Sequence, residues 1–375
     1  MGSSCKQGNI IFSTMKRVWK EASSVIIAAK PKSFLRSRMS RDCSLSILAL
    51  KRHSDSSVLP NFYVFPGGHT HHSDSSEEWR RVFSQSTCEA SRNCFETLNS
   101  NVTLPIFKSN NENGIPKAIS LRIAAIRETF EECGILLCKR FEDKKQDIDK
   151  HLEIESIAQW RQQVINKCYP NVTALSLWSN WKTPVNIPAK KFDVAFFLVV
   201  LEDCYRAIPD SIEIEEIGWY PPEELLNKSD KGEISLSHPQ FYELSRLLHF
   251  KDVSKLSKFA KQRNESNCEL FFPIMCFLDD QMVSILPGDE LYPENGFEFT
   301  LEDAELKEKL NQSQKCHRLL ISNAEPSGPL EHKSLIIQNV SPKYDHILPC
   351  SSHHITKATP KINYELKKVQ KIYVE

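Results

Sequence analysis

Arg127-Glu128-Thr129-Phe130-Glu131-Glu132-Cys133-Gly134-Ile135 is the stretch on which the reading of this chain turns. Apolar residues at Leu121, Ile123, Ala124, Ile126, Phe130 and Cys133 form one face of a helix over Ile119 to Cys133, and Gly134 suits its C-terminal cap. On such a helix positions i, i+3 and i+4 share a side, so Glu128, Glu131 and Glu132 converge. Three like charges at that spacing repel, destabilise the helix and shift one another's pKa values unless a cation sits among them. Oxygen-only ligands select a hard ion such as Mg2+ or Mn2+, which commonly joins carboxylates to substrate phosphates. Arg127 stands four residues before Glu131, where it can pair with that carboxylate and orient it. A solvated acidic helix face would carry the same three glutamates, and the spacing alone does not separate the two readings.

Upstream lie three β-like runs, Val25–Ala29, Leu45–Lys51 and Phe62–Phe65. The third ends in Pro66-Gly67-Gly68, which stops a strand and lets backbone approach a ligand closely. Residues 69 to about 117 are rich in Ser, Asn and His and read as an insertion with one helical piece near Glu77–Leu98. Downstream, Ile135–Cys138 begins a strand, Ile154–Lys167 is helical, and Lys191–Leu201 is a buried strand. Ile212–Tyr220 is another strand, running into a short helix at Glu223–Leu226, and His238 to Arg263 is a long helical region. Beyond about residue 268 the texture turns to β runs: Leu270–Leu278, Met282–Leu286, Arg318–Ser322 and Ser334–Val340.

A chain of 375 residues favours about two domains, and 40% hydrophobic with 26% charged residues is ordinary for a soluble globular protein. Lys+Arg and Asp+Glu both count 48, so no global field favours nucleic acid or an anionic membrane, and neither partner is expected. A polyanionic substrate must then be held by local cations or by bound metal. The 12 cysteines form no C-x-x-C pair and follow no secretory signal, which suits reduced, buried thiols. The strongly apolar run Val194–Leu201 is far too short to span a bilayer, so a soluble, intracellular protein is expected and sequons such as Asn101-Val102-Thr103 carry no meaning. The opening Met-Gly-Ser-Ser-Cys-Lys has Lys6 where a myristoylation signal wants Ser or Thr, and Met15 offers a second start.

The order of residues around Arg127 resembles the second half of the Nudix box, G-x5-E-x7-R-E-U-x-E-E-x-G-U with U a bulky aliphatic residue. Gly68 of Pro66-Gly67-Gly68 supplies its first glycine, 59 positions before Arg127 (127 − 68) where the ordinary box has 14. Roughly 45 residues are therefore inserted in the loop between strand and helix, the region most tolerant of insertion. Ile119, eight before Arg127, leaves the middle glutamate without a counterpart, and Thr129 replaces an aliphatic residue. An interrupted box is similar to that of the peroxisomal coenzyme A diphosphatase branch of the Nudix hydrolases. Trp178-Ser179-Asn180-Trp181-Lys182-Thr183-Pro184 ahead of Lys191-Phe192-Asp193-Val194-Ala195-Phe196-Phe197 resembles the same branch. So do Trp19 to Ile26, His238-Pro239-Gln240-Phe241-Tyr242 and Leu286-Pro287-Gly288-Asp289-Glu290-Leu291-Tyr292.

The resemblance implies a Nudix α/β/α sandwich with a mixed sheet, a large insertion within the box and a β-rich C-terminal extension. Residues 1–20 would be an N-terminal extension, 21–265 the hydrolase domain with its insertion at about 69–117, and 266–375 an extension packed on it. It implies hydrolysis of coenzyme A or acyl-CoA esters to 3′,5′-ADP and 4′-phosphopantetheine or its acyl form. Metal would be held by Glu128, Glu131, Glu132 and the Gly68 carbonyl, oriented by Arg127, and would activate the attacking water. Glu215 or Glu216, with Glu213, would supply an additional base, though a strand-edge acid is the plainer account of each. Lys51, Arg52, Gly67 and Arg122 would meet the substrate. Another nucleoside diphosphate substrate such as ADP-ribose or a dinucleotide, or a catalytically silent nucleotide- or partner-binding domain, would use the same fold. His69, His71 and His72, with Asp74, invite a zinc reading against that of a polar loop. Trp178 and Trp181 are candidates for adenine stacking or for the core. The branch's Ser-Lys-Leu-type ending has no match in Tyr373-Val374-Glu375, so a peroxisomal, cytosolic or mitochondrial location stays open, as does the oligomeric state.

Overall fold

The computed structural model describes residues 19–31, 44–98, 103–108, 114–141, 168–262 except 186 and 188, 268–293 except 279–280, 303–323, 331–344 and 346–349. The two candidate starts, the Asn101 sequon, the Ile154–Lys167 helix and the C-terminal tripeptide lie outside those residues.

Fifteen strands are described: β1 (Lys20–Ala29), β2 (Ser46–Arg52), β3 (Phe62–Val64), β4 (Gly67–His69), β5 (Cys138–Arg140), β6 (Cys168–Pro170), β7 (Ser176–Lys182), β8 (Phe192–Leu201), β9 (Ile214–Tyr220), β10 (Ser235–Leu236), β11 (Leu270–Phe271), β12 (Ile274–Phe277), β13 (Gln281–Ile285), β14 (Cys316–Asn323) and β15 (Glu331–Gln338). The main sheet runs β10-β3-β2-β1-β8-β7-β11, with β4 also on β1 and β9 also on β2. It is mixed. β1 and β8 pair in parallel over their whole length, Lys20 opposite Phe192 through Ala29 opposite Leu201. β1 meets β4 antiparallel with its first half and β2 with its last two residues. Continuous apolar runs in β1 and β8 follow from this central position, where both faces are covered.

One face packs under the Lys117–Cys133 helix and the insertion, through Val25, Ile27, Leu48, Phe197 and Val199 against Ile119, Ile123, Ile126 and Phe130. The other face, with Ile26, Ile47, Phe196 and Leu198, is covered by helices Pro222–Asp230, His238–Leu247 and Val253–Gln262 and by Met275, Leu319, Ile321 and Leu335 of a second sheet. That second sheet is an antiparallel meander, β12-β13-β14-β15. The sandwich with a mixed sheet and a β-rich C-terminal part is thus present. Among the described residues no helix is long and apolar enough to cross a membrane.

Several expected elements divide. The Leu270–Leu278 run splits into β11 and β12, which belong to different sheets. Pro273 stands at the break, because proline has no N–H to give a ladder. The main sheet therefore reaches past residue 265, and the change of sheet falls at Pro273. His238–Arg263 is two helices; the Asp252 carboxylate starts the second by accepting from the Lys255 amide at 2.8 Å. The helical piece of the insertion is three short helices, Glu78–Ser84, Glu89–Arg92 and Cys94–Thr97. They bury Trp79, Val82, Phe83 and Cys94 in the core over the Lys117–Cys133 helix. The insertion closes on itself, since the Ile115 amide donates to the Ser75 carbonyl at 3.0 Å.

Candidate active site

The Pro66-Gly67-Gly68 turn is held to the central strand. The Pro66 carbonyl accepts from the Val25 amide at 2.8 Å and from the Ser24 hydroxyl at 3.0 Å. Gly67 has φ 152°, and a Cβ there would fall 2.3 Å from the Ser23 carbonyl oxygen. A Cβ on Gly68 would fall 2.5 Å from Glu128 Oε2. Close approach to the β1 backbone thus demands the first glycine, while the second lets a carboxylate of the facing helix lie directly against the turn.

That helix, Lys117–Cys133, presents its acids to this turn and ends at Gly134, whose φ of 69° permits the left-handed cap. Glu132 is 4% exposed and accepts from the Gly67 amide at 2.8 Å. Glu128 lies against Gly68, and Arg127 Nη1 donates to Glu128 Oε1 at 2.9 Å and to Glu131 Oε2 at 2.7 Å. Thr129, where an aliphatic residue was expected, is fully buried and spends its hydroxyl on the Ala125 carbonyl at 2.8 Å, so it enters the core without an unpaired group. Burial, followed by the other acids, pushes these carboxylates up: Glu128 to about 7, Glu131 upward, and Glu132 well above the ordinary range. The charge of Arg127 opposes the rise at Glu128 and Glu131, and the Gly67 amide opposes it at Glu132. Three acids held together, one buried and two half-buried, at this cost in charge suit a cation-binding role.

The guanidinium is itself anchored from behind. Arg127 Nε donates to Asp74 Oδ1 at 2.9 Å, Nη2 to Asp74 Oδ2 at 3.0 Å, and Nη2 also to the His69 carbonyl at 2.8 Å. Asp74 is 1% exposed and accepts from the His71 amide at 2.7 Å. It stands six residues after Gly68, the place of the box's middle acid. The expectation that this acid has no counterpart is therefore corrected. Counting back from Arg127 crosses the insertion and misses Asp74, whereas counting forward from Gly68 finds it. With Asp74 committed to Arg127, it does not complete a metal set with His71 and His72. Among the described residues no three His, Cys, Asp or Glu side chains stand at metal-ligand spacing about one point, because Arg127 draws Glu128 and Glu131 while Glu132 turns to Gly67.

The expected substrate and base residues separate sharply. Arg52 reaches the cluster: Nη1 lies 3.6 Å from Glu132 Oε1 and Nη2 lies 3.6 Å from Glu213 Oε2, while Nε donates to the Val58 carbonyl at 3.0 Å. Lys51 pairs instead with Glu215 at 3.0 Å, across the β2–β9 pairing. Glu216 accepts from the Tyr63 hydroxyl at 2.9 Å and the Tyr220 hydroxyl at 2.7 Å, and these bonds outweigh burial and hold it below the ordinary carboxylate range. Glu215 and Glu216 therefore have other partners, and of the three expected base residues only Glu213 is joined to the cluster, through Arg52 to Glu132. Arg122 is the plain correction. It is 2% exposed, donates to the Leu175 carbonyl at 3.1 Å and the Ala118 carbonyl at 2.8 Å, and lies 4.9 Å over the Phe197 ring, so it serves the core. Trp178 and Trp181 are also core, both donating their indole N–H to the buried Glu243.

His69 turns its ring toward Phe192, with centroids 5.0 Å apart. Partial burial and then the charges of Lys20 and Lys190 hold its imidazole below the ordinary range. This aromatic edge beside the turn was not foreseen from the sequence, which brings Lys20, His69 and Phe192 together only through strand pairing.

The family model described as NUDT19 Nudix domain matches residues 19–247, and that described as NUDT19 C-terminal domain matches residues 275–325. The chain is 32% identical over 372 residues to a Xenopus laevis protein named acyl-coenzyme A diphosphatase NUDT19, covering 89% of this chain and 96% of that one. Proteins of the same name from Gallus gallus and Homo sapiens are 30% and 31% identical, each match covering 89% of this chain and 95% of the relative. A buried acid helix against a Gly-Gly turn, an arginine clasped by an acid six residues past that turn, and matches over most of the length lead to one conclusion: the chain belongs to the NUDT19 family of Nudix proteins.

Proposed function

We propose that this chain hydrolyses the diphosphate linkage of coenzyme A and acyl-CoA esters, releasing 3′,5′-ADP and 4′-phosphopantetheine or its acyl form. The names of its relatives support the substrate class. The observation that carries the chemistry is the packing of Glu128 against Gly68 and of Glu132 against Gly67, with Glu131 joined to Glu128 through Arg127. A divalent cation suits the chemistry of this site: the donors are all oxygen, Glu132 is buried and Glu128 and Glu131 half-buried, all three are pushed toward protonation, and a cation would draw them from Arg127 and the Gly67 amide to one point. Glu128, Glu131 and Glu132, with the Gly68 carbonyl, would hold Mg2+ or Mn2+, which when bound neutralises diphosphate oxygens and acidifies a water. Asp74 and Arg127 position the acids, Arg52 and the Gly67 backbone face the substrate, and Glu213 is the acid placed to orient water or take its proton. A peroxisomal location, implied by the likeness to that branch, belongs to the same reading and is tested by imaging the untagged chain with an antibody.

A hydrolysis panel of coenzyme A, acetyl-CoA, ADP-ribose and NADH, with Mg2+ or Mn2+, tests the proposal. Release of 3′,5′-ADP with coenzyme A preferred is expected, and Glu132→Gln lowers turnover at least about a hundredfold by removing a charged ligand. Preference for ADP-ribose moves the assignment to another nucleoside diphosphate. Binding without turnover in every metal makes this a silent domain.

A further inference from the structure

The cations around the glutamate cluster divide by whether a carboxylate already holds them. Arg127 is bound by Asp74, Glu128 and Glu131, Arg52 faces Glu132 and Glu213, and Lys51 is paired with Glu215. Lys20 and Lys190 differ: among the described residues neither has a carboxylate partner. Lys190 Nζ donates to the neutral Ser57 hydroxyl at 3.0 Å, and Lys190 precedes Phe192 by two residues. Lys20 is the register partner of Phe192 across β1 and β8, and its amide donates to the Lys191 carbonyl at 2.9 Å. The Phe192 ring in turn meets that of His69, the residue after Gly68, whose carbonyl receives Arg127. Two exposed ammonium groups and an aromatic pair thus share the end of the β1–β8 pair that lies beside the Gly-Gly turn.

Building on the function proposed above, we propose that Lys20 and Lys190 form the subsite for the ribose phosphomonoester of the substrate, with the His69–Phe192 pair as the adjoining surface for its base. A metal at the glutamates would serve the diphosphate, but a phosphomonoester elsewhere on the same ligand carries nearly two further charges near neutral pH. With Lys+Arg and Asp+Glu both 48, no general field attracts it, so nearby cations must. A lysine already bound to a carboxylate would have to give up that partner; Lys20 and Lys190 give up none. Ammonium groups serve phosphate as point charges and tolerate the freedom of exposed side chains.

The test compares the full chain with the Lys20→Gln/Lys190→Gln and Lys20→Arg/Lys190→Arg double variants. kcat and KM are measured for coenzyme A and 3′-dephospho-coenzyme A, and calorimetry measures binding of adenosine 3′,5′-bisphosphate and of AMP. The unmodified chain is expected to favour the 3′-phosphorylated member of each pair by about tenfold or more. The Gln variant loses most of that preference, chiefly through KM and Kd, while the Arg variant keeps it. A preference unchanged in the Gln variant, or absent from the unmodified chain, overturns the subsite. Preferential binding of the bisphosphate that the Gln variant abolishes, without turnover of coenzyme A, keeps the subsite and removes the hydrolase reading instead.

Discussion

Arg127 is shared by four acceptor residues, and only Asp74 holds it from outside its own helix through a carboxylate. The two bonds to Asp74 use both carboxylate oxygens and two guanidinium nitrogens, an arrangement that fixes a planar guanidinium in orientation as well as place. Asp74→Ala would leave the cation with Glu128, Glu131 and the His69 carbonyl and freer to swing toward the two acids. Removing one partner of such a pair costs on the order of 3 kcal/mol. Urea unfolding is expected to show that loss, and kcat should fall with it because the acids lose their orientation. A loss below about 1 kcal/mol would show the Asp74 clasp to be incidental.

Among the elements, β7 and the His238–Leu247 helix are joined by one buried acid. Glu243 accepts from both indoles, at 2.7 and 2.8 Å, from the Ser179 hydroxyl at 2.6 Å and from Arg246 at 2.6 Å; Arg246 stacks over Trp178 and donates to the Ile347 carbonyl. Glu243→Gln keeps the shape but leaves Arg246 without a counter-charge and one donor without an acceptor. About 3–5 kcal/mol is expected to be lost, read as a lower urea midpoint with an unchanged m value. Elements of this kind were only partly legible in the sequence. β1, β8 and the Lys117–Cys133 helix could be read because long apolar runs or helical spacing mark them. β7 was not, since Ser-Leu-Trp-Ser-Asn-Trp-Lys has no strong β pattern and its buried Ser179 and Asn180 find their partners on other elements, at Glu243, Asp193 and the Val194 carbonyl. β4 is a Gly-Gly-His piece that exists through pairing with β1, and the Asp303–Gln312 helix was missed altogether. At the site, the three glutamates were legible from spacing. Arg122 was misread because an arginine on an acid-bearing helix says nothing of which face it occupies, and here the carbonyls of Leu175 and Ala118 draw it inward.

The whole molecule should answer to pH through its buried acids. Glu128, Glu131 and Glu132 all have folded pKa values above that of an unfolded glutamate, so without metal the folded state holds more protons than the unfolded one. Their contribution is complete at low pH and is lost as pH rises from the unfolded value of 4.5 through the raised folded values, about 7 for Glu128. A divalent cation takes the place of those protons, so its stabilising effect runs the opposite way. The rise in Tm on adding Mn2+ is therefore expected to be small at pH 5.5 and larger at pH 8, and Glu132→Gln should flatten the trend. An increment independent of pH would count against these acids as the binding site.

The hydrogen bond between Ile115 and Ser75 has a bearing on how this protein can vary. A detour whose two ends are knotted at one spot exerts no pull on what lies before or after it. Asp74 sits just outside that knot on one side, and the helix of Arg127 begins just beyond it on the other. Descendants of this chain can lengthen, trim or rewrite the far side of the detour at will, so long as Trp79, Phe83 and their neighbours still roof the core. The chemistry is thereby insulated from the part of the chain most open to drift.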